Sequence, residues 1–410
     1  MDGGSESGTR MRILYVSDVY FPRVNGVSTS IQTFRRELGR RGHETTLVAP
    51  VYPQSHGDEA GIVRIRSRRV PLDPEDRAMH WRALDRLERT LANERFDLVH
   101  VQTPFLAHYA GVRAARRRGV PVVATYHTLF EEYLFHYVPL VPRGLMRAIA
   151  RGLSRSQCGA LDAVVVPSTA MRETLERYGV RTPIEIVPTG IPLREFAGGD
   201  GARFRREHGI APSRPVLVYV GRVAFEKNID FLLRALVPVR REVTDALLVV
   251  CGEGPALPSL TRLAHELGLA AAVRFVGYLD RATRLLDCYR AADAFVFASR
   301  TETQGLVLLE AMALGVPVVS TAVMGTRDIV GPGRGALVAA DDERDFASKV
   351  VELLRDAQLR ARLAAEGREY ARSWSAAALA ARLEAFYRQV LQAPGLRAAA
   401  AEAQRSAETA

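Results

Sequence analysis

Cysteine and lysine are both scarce in this chain. The three cysteines, Cys158, Cys251 and Cys288, are odd in number and form no Cys-x-x-Cys pair. That speaks against a disulfide framework or a zinc site and suits a reducing cytoplasm. Of 56 basic residues only two are lysine, Lys227 and Lys349. No run approaches the ~18 uncharged residues that a membrane-spanning helix needs. The opening stretch MDGGSESGTR lacks the apolar core of a secretory signal, so residues 1–10 are expected to be a disordered extension. No Walker sequence, no Gly-x-Gly-x-x-Gly and no Asp-x-Asp occurs.

What is present is enough apolar material for two cores: 48% of 410 residues. The formal net charge of +10 points to an anionic partner: a membrane surface, a nucleic acid or a phosphorylated substrate. An arginine-rich composition explains the same excess, so net charge alone decides little. Basic residues are spread over both halves without an RNA-recognition or zinc-finger pattern, and no nucleic-acid partner is expected.

Short β-branched runs alternate with helical patterns. The first half holds RILYVS (12–17), TTLVA (45–49), IVRI (62–65), DLVHV (97–101), PVVAT (121–125), AVVVPS (163–168) and IEIVP (184–188). Helical stretches lie between them at 28–41, 82–93 and 169–178. A pause at PLREFAGGDGARF is followed by PVLVYVG (215–221), ALLVVCG (246–252), VRFVG (273–277), AFVFAS (294–299) and VPVVST (316–321). Strands apolar on both faces and alternating with helices predict parallel, doubly wound sheets. The expected organisation is a Rossmann-like domain at 11–192, a linker at 193–201 and a second Rossmann-like domain at 202–375. A C-terminal helix at 376–392, able to pack back on the first domain, precedes a tail at 393–410. Ligands of such sheets bind outside the carboxyl ends of the strands, so two facing domains would line a cleft with their strand-to-helix loops.

Those loops carry the chemistry. In GRVAFEKN (221–228), Arg222 offers a planar fork and Lys227 a compact charge for phosphate oxygens; two solvated surface cations remain the plain alternative. Glu253 and Gly254 in CGEGP, and Gly277 after VRFV, are further turns at the same end. In TETQGLVLLEAMALGVPVV (301–319), Glu302 precedes a helix that starts near Gly305. The amides of 304–307, Leu306 and Val307 among them, are placed to meet an anion or sugar hydroxyls. Glu310 lies inside the apolar run. It is expected either to accept ribose hydroxyls, as the acidic residue of dinucleotide-binding folds does, or to pair with a buried arginine.

SRTETQGLVLLEAMALGVPVV resembles the E-x7-E region of family 4 glycosyltransferases, which are retaining enzymes of the two-domain GT-B fold. The resemblance runs through RILYVSDVYFPRVNGVSTSIQTFRRELGRRGHETTLVAP, TYHT, VPTGI, GRVAFEKN, CGEGP and FVGYL, in the family's order. It implies that Arg222 and Lys227 contact a donor diphosphate, Glu302 the donor sugar and Glu310 the ribose. The loop holding Gly26 would approach the phosphates and acceptor from the other domain. His127, at the end of PVVAT, matches the family histidine beside the transferred sugar. It is expected to donate a hydrogen bond to a sugar hydroxyl or polarise the reacting groups, not to act as a nucleophile. The Asp-x-Asp of the other common glycosyltransferase fold is absent. Positive residues and helix amides can stabilise a departing diphosphate without a metal, so the nucleotide sugar is expected as substrate, with no tightly bound cofactor and no dedicated metal site.

The segment YHTLFEEYL after His127 is similar to glycosyltransferases acting on diacylglycerol and related membrane lipids. Beyond it, Arg143, Arg147, Arg151 and Arg155 recur every four residues, opposite Leu145, Met146, Ile149 and Leu153. That pattern suits a basic amphipathic helix on anionic headgroups, or an ordinary surface helix with its apolar side in the core. Tyr133 and neighbouring aromatics add apolar surface. The expected activity is hexose transfer from UDP-glucose, or secondarily GDP-mannose, to a lipid such as diacylglycerol. The enzyme would be cytoplasmic and peripheral at the inner face of the plasma membrane. A soluble or polysaccharide acceptor is the alternative, and a non-catalytic binder of anionic ligands the third reading.

Overall fold

The structure, a computed structural model, describes residues 10–53, 60–70, 73–80, 91, 94–127 and 143–393, with the side chains of 69, 70, 73–76, 78 and 143 excepted. Two compact units emerge: one of residues up to Thr189 together with those from Leu379 onward, the other Gly190–Ala378.

The first unit is built on strands β1 (Arg12–Val16), β2 (Glu44–Pro50), β3 (Ile62–Ile65), β6 (Leu98–Val101), β7 (Val122–Thr125), β8 (Ala163–Val166) and β9 (Ile184–Ile186). All pair in parallel in the order β3-β2-β1-β6-β7-β8-β9. A separate antiparallel ribbon of β4 (Ser67–Val70) and β5 (Asp73–Met79) follows β3; the apolar-run reading did not anticipate it. Ile13, Leu47, Val99 and Val123 are fully buried. Each contributes ~1.5–3 kcal/mol by leaving water, and the chain forms strands there because such runs need cover on both faces.

The helix Ala376–Gln392 starts in the second unit and ends in the first. Its Tyr387 hydroxyl lies 2.5 Å from His100 Nδ1 and 2.9 Å from the Tyr15 hydroxyl, and His100 Nε2 lies 2.8 Å from the Thr125 hydroxyl. This buried chain ties the C-terminal helix to β1, β6 and β7.

The second unit has β10 (Val216–Val220), β11 (Leu247–Cys251), β12 (Val273–Gly277), β13 (Ala294–Phe297), β14 (Val318–Thr321) and β15 (Ala336–Ala339). They form one parallel sheet ordered β12-β11-β10-β13-β14-β15. Both units are therefore Rossmann-like, with the parallel doubly wound sheets that the run pattern predicts. The strand β15 escaped that reading because ALVA is too short and mixed to stand out.

Two boundaries differ from expectation. Residues 193–201 are not a free linker: Leu193–Phe196 forms a 3-10 turn, and Asp200 caps the helix Gly201–Glu207. The Asp200 amide donates to Asp287 Oδ1 at 2.6 Å. A Cβ on Gly199 would meet the Leu286 carbonyl oxygen at 2.7 Å, so glycine here marks close packing, not looseness. At the other end, Arg10 is not a loose residue but pairs with Glu44. The helix expected at 82–93 and the tail from 394 lie outside the described residues, apart from Leu91, which is buried.

Candidate functional site

In each sheet the strand order reverses at one point, and there the neighbouring strand-to-helix loops diverge and leave a crevice. In the second unit that point lies between β10 and β13. The loop after β10 carries Arg222 and Lys227, and the loop after β13 carries Glu302. Lys227 Nζ stands 2.6 Å from Glu302 Oε1, both side chains about one-fifth exposed. Two further bonds stitch the loops: Asn228 Nδ2 to the Ala298 carbonyl at 3.0 Å, and the Thr301 hydroxyl to the Glu226 carbonyl at 3.3 Å. Arg222 is exposed and its guanidinium lies 4.0 Å from Glu226, while Glu226 Oε2 is buried without a hydrogen-bond partner among the described residues. The crevice thus holds two cations and two carboxylates, only partly paired.

Glu310 lies in the helix Leu306–Ala313 and is buried. Its Oε1 accepts from Arg281 at 2.5 Å and its Oε2 from the Tyr289 hydroxyl at 2.9 Å. A carboxylate in an apolar helix needs such partners. Burial, with Glu310 next to it, pushes the Tyr289 phenol well above its ordinary range, so the phenol stays protonated and donates. Of the two sequence readings for Glu310, the structure displays pairing with an arginine. Arg281 and Tyr289 carried no motif; only a buried Glu in search of partners signalled them.

The glycine turns serve close approach. A Cβ on Gly252 would lie 1.9 Å from the Gly221 carbonyl oxygen, and one on Gly254 would lie 2.3 Å from that of Val223. Val223 N donates to the Glu253 carbonyl at 2.8 Å and Gly252 N to that of Gly277 at 2.8 Å, lacing the loops after β10, β11 and β12 together. The Glu253 side chain is exposed, near the Tyr278 amide at 3.4 Å. Gly305, at φ 95°, begins the helix with no side-chain cap. Leu306 and Val307 in its first turn are half-buried, so the first-turn amides stand where an anion is favoured.

In the first unit the reversal lies between β1 and β6. Asp18, after β1, accepts from the Thr103 hydroxyl at 2.7 Å and from Ala107 N at 3.1 Å, capping the helix Leu106–Arg118. Burial raises the Asp18 carboxyl to about 6 against those hydrogen bonds. Gly26 opens the helix Gly26–Arg40, whose cap is Asn25, accepting from Ser28 N at 2.8 Å. A Cβ at Gly26 would meet nothing within 4 Å; neither packing nor φ demands glycine there.

His127 follows β7. Its Nε2 lies 3.2 Å from Gln102 Oε1, and burial lowers its pKa to about 4. It lines a cavity of about 20 Å³ with Thr103, His108, Gln157 and Cys158, room for about one water. The burial that lowers His108 to about 4 and raises the Cys158 thiol to about 12 leaves these neighbours neutral. Tyr133 lies outside the described residues.

The helix Arg143–Gly159 divides its apolar residues between two faces. Met146, Ala150, Ser154 and Cys158 face the core, whereas Leu145 and Ile149 are 55% and 48% exposed. The grouping of Leu145, Met146, Ile149 and Leu153 on one arc is therefore corrected: the fourfold stripe through Met146 satisfies the core and leaves Leu145 and Ile149 outside. Arg147, Arg151 and Arg155 are exposed on the adjoining ridges, with Arg151 over the Tyr178 ring at 5.7 Å; of Arg143 only the backbone is described. Among the described residues no helix is long and apolar enough to cross a membrane, and none gathers three metal-ligating side chains with its neighbours.

Residues 24–195 match the family described as Glycosyltransferase Family 4, and residues 200–370 match Glycosyl transferases group 1. The chain is 32% identical over 371 residues to the alpha-monoglucosyldiacylglycerol synthase of Streptococcus pneumoniae, covering 84% of this chain and 82% of the relative. It is 31% identical to a GDP-mannose-dependent alpha-mannosyltransferase of Mycobacterium tuberculosis, over 89% of this chain and 93% of that one. In fold it is similar to Anabaena HepE, crystallised with UDP: TM-score 0.73 at 16% identity, over 92% of this chain and 100% of the other.

Proposed function

This chain belongs to glycosyltransferase family 4 and acts on nucleotide sugars, and we propose that it moves a hexose, with retention, to a membrane lipid of the diacylglycerol type. UDP-glucose is the first donor assignment and GDP-mannose the second. The relative named for glucosyldiacylglycerol synthesis supports the first, the GDP-mannose-dependent relative the second.

The observation that carries the donor reading is the Lys227–Glu302 pair at the strand-order reversal. On this reading Lys227 and Arg222 turn to the diphosphate and stabilise its charge as the sugar–phosphate bond breaks. The uncapped amides at Leu306 and Val307 add a field of the same sign. Glu302, released by Lys227, accepts from hydroxyls of the sugar being moved. Glu310 takes the ribose by exchanging its Arg281 contact for ribose hydroxyls, while Tyr289 continues to orient it. Glu253, Gly254 and Gly277 form the neighbouring wall of the donor pocket, and Gly26 supplies a loop without side-chain bulk. His127, neutral at working pH, hydrogen-bonds a reacting hydroxyl. No residue is assigned as a nucleophile, and no metal site or bound cofactor is assigned.

For the acceptor, the exposed Leu145 and Ile149 beside Arg147, Arg151 and Arg155 support a lipid surface. Two aliphatic side chains enter the headgroup boundary while the arginines meet anionic lipid. The enzyme would then work as a peripheral protein at the inner face of the plasma membrane. Nucleotide-sugar panels with and without diacylglycerol vesicles test this: lipid-dependent turnover supports it, and undiminished transfer to a soluble sugar or polysaccharide replaces the acceptor.

A further inference from the structure

His127 and Gln102 leave the carboxyl ends of adjacent parallel strands, β7 and β6. Gln102 is 2% exposed and its backbone amide donates to the Val16 carbonyl at 2.9 Å, so its side chain starts from a fixed base. The amide oxygen, 3.2 Å from His127 Nε2, can only accept. With the amide oxygen facing the ring, the imidazole proton sits on Nε2 and Nδ1 keeps a lone pair, which has no partner among the described residues. Gln102 Nε2 is itself buried without a partner among the described residues.

We propose that Gln102 is a positioning residue that holds His127 in the Nε2–H tautomer, so that His127 accepts a hydrogen bond at Nδ1 from a substrate hydroxyl and does not donate one. The inference rests on the reading of His127 as a residue of the reacting centre, and it narrows that reading. An imidazole free to choose its tautomer offers a donor or an acceptor in turn. One fixed by an acceptor-only partner offers a lone pair alone, which a sugar or glycerol hydroxyl meets with its O–H. Among the described residues, the titratable groups beside His127 are His100 on β6 and His108, Tyr126 and Cys158 at the shared cavity. Burial keeps His100 and His108 neutral, at about 3 and about 4. None supplies a charge that would protonate the ring.

The test uses the full chain labelled with 15N-histidine, the His127 signal being identified by its loss in His127→Gln. In the unsubstituted protein Nε2 should show the protonated shift and Nδ1 the lone-pair shift. Gln102→Leu should give averaged shifts and a fall in kcat of about 10-fold or more, with the donor KM unchanged, assayed with UDP-glucose and diacylglycerol in phosphatidylglycerol vesicles. Gln102→Glu keeps the acceptor but adds a charge that favours imidazolium. It should retain Nε2–H and move the acid limb of the kcat profile up by about one pH unit or more. A proton on Nδ1, or a Gln102→Leu protein with unaltered shifts and kcat, overturns the proposal. If Gln102→Leu does not fold, an unmoved profile in Gln102→Glu overturns it equally. Wild-type turnover in His127→Ala would instead sink the reading of His127, a separate result from the spectra.

Discussion

Lys227 Nζ lies 2.6 Å from Glu302 Oε1 across the strand-order reversal of the second sheet. One of only two lysines in an arginine-rich chain thus meets the first carboxylate of the E-x7-E stretch. Each neutralises the other, and on the proposed function a donor diphosphate would compete for the lysine.

Lys227→Ala should therefore weaken UDP binding by ~10- to 100-fold, the loss of one or two charge-assisted hydrogen bonds. Glu302→Gln should leave UDP binding intact or tighter, because it removes the competitor, yet depress turnover of UDP-glucose. Isothermal titration and steady-state assays separate the two, and equal affinities in all three proteins would remove Lys227 from the diphosphate.

Arg281 is the cation that keeps Glu310 satisfied inside its helix. Arg281→Met should lower unfolding free energy by ~1–2 kcal/mol, less than a fully buried pair would cost, because the guanidinium is partly exposed. Glu310→Ala should in addition weaken UDP binding through the ribose. Denaturant titration with and without UDP checks both, and an unchanged UDP affinity in Glu310→Ala would limit Glu310 to a structural role.

Leu145 and Ile149 face solvent beside an arginine ridge. Co-sedimentation with phosphatidylglycerol vesicles should occur at low salt and fade as salt screens the charges. Reversing Arg147 and Arg151 to Glu should weaken it by ~10-fold or more, at about 1 kcal/mol per basic residue near the surface. Leu145→Asp with Ile149→Asp should weaken it without changing the salt slope. Vesicle binding insensitive to both pairs would move the contact surface elsewhere.

Glu384, on the C-terminal helix, accepts from Arg388 at 2.7 Å and from Arg41. Burial alone would raise its pKa, but those hydrogen bonds and the charge of Arg41 outweigh it and hold the carboxyl at about 2. A folded pKa below the unfolded one, ~4.3, gives stability above the unfolded value that is lost as pH falls through about 2. Glu384→Gln should cost ~1–2 kcal/mol at neutral pH. The deficit should shrink as pH drops below the unfolded pKa, and a deficit constant to the acid limit would contradict the assignment.

Both sheets were legible because their strands are covered on both faces and so stand out as apolar runs. The β4–β5 ribbon and β15 were not, since short or polar strands leave no such trace. Lys227 and Glu302 were visible as motif residues, but their contact depends on strand order, which no local pattern encodes. Arg281, Tyr289 and Gln102 were invisible for the same reason: each matters only through a partner distant in sequence. Within the segment expected as a linker, Gly199 is closely packed, because glycine marks close backbone approach as readily as a flexible turn.

The most direct test is to incubate the full chain with UDP-glucose or GDP-mannose and diacylglycerol in phosphatidylglycerol vesicles. The lipid product is weighed by mass spectrometry and its anomeric coupling read by NMR. The predicted result is a monohexosyl lipid of α configuration, formed faster from UDP-glucose and abolished in the Lys227→Ala, Glu302→Gln double variant. No hexosyl lipid from either donor, or a product of β configuration, would contradict the account.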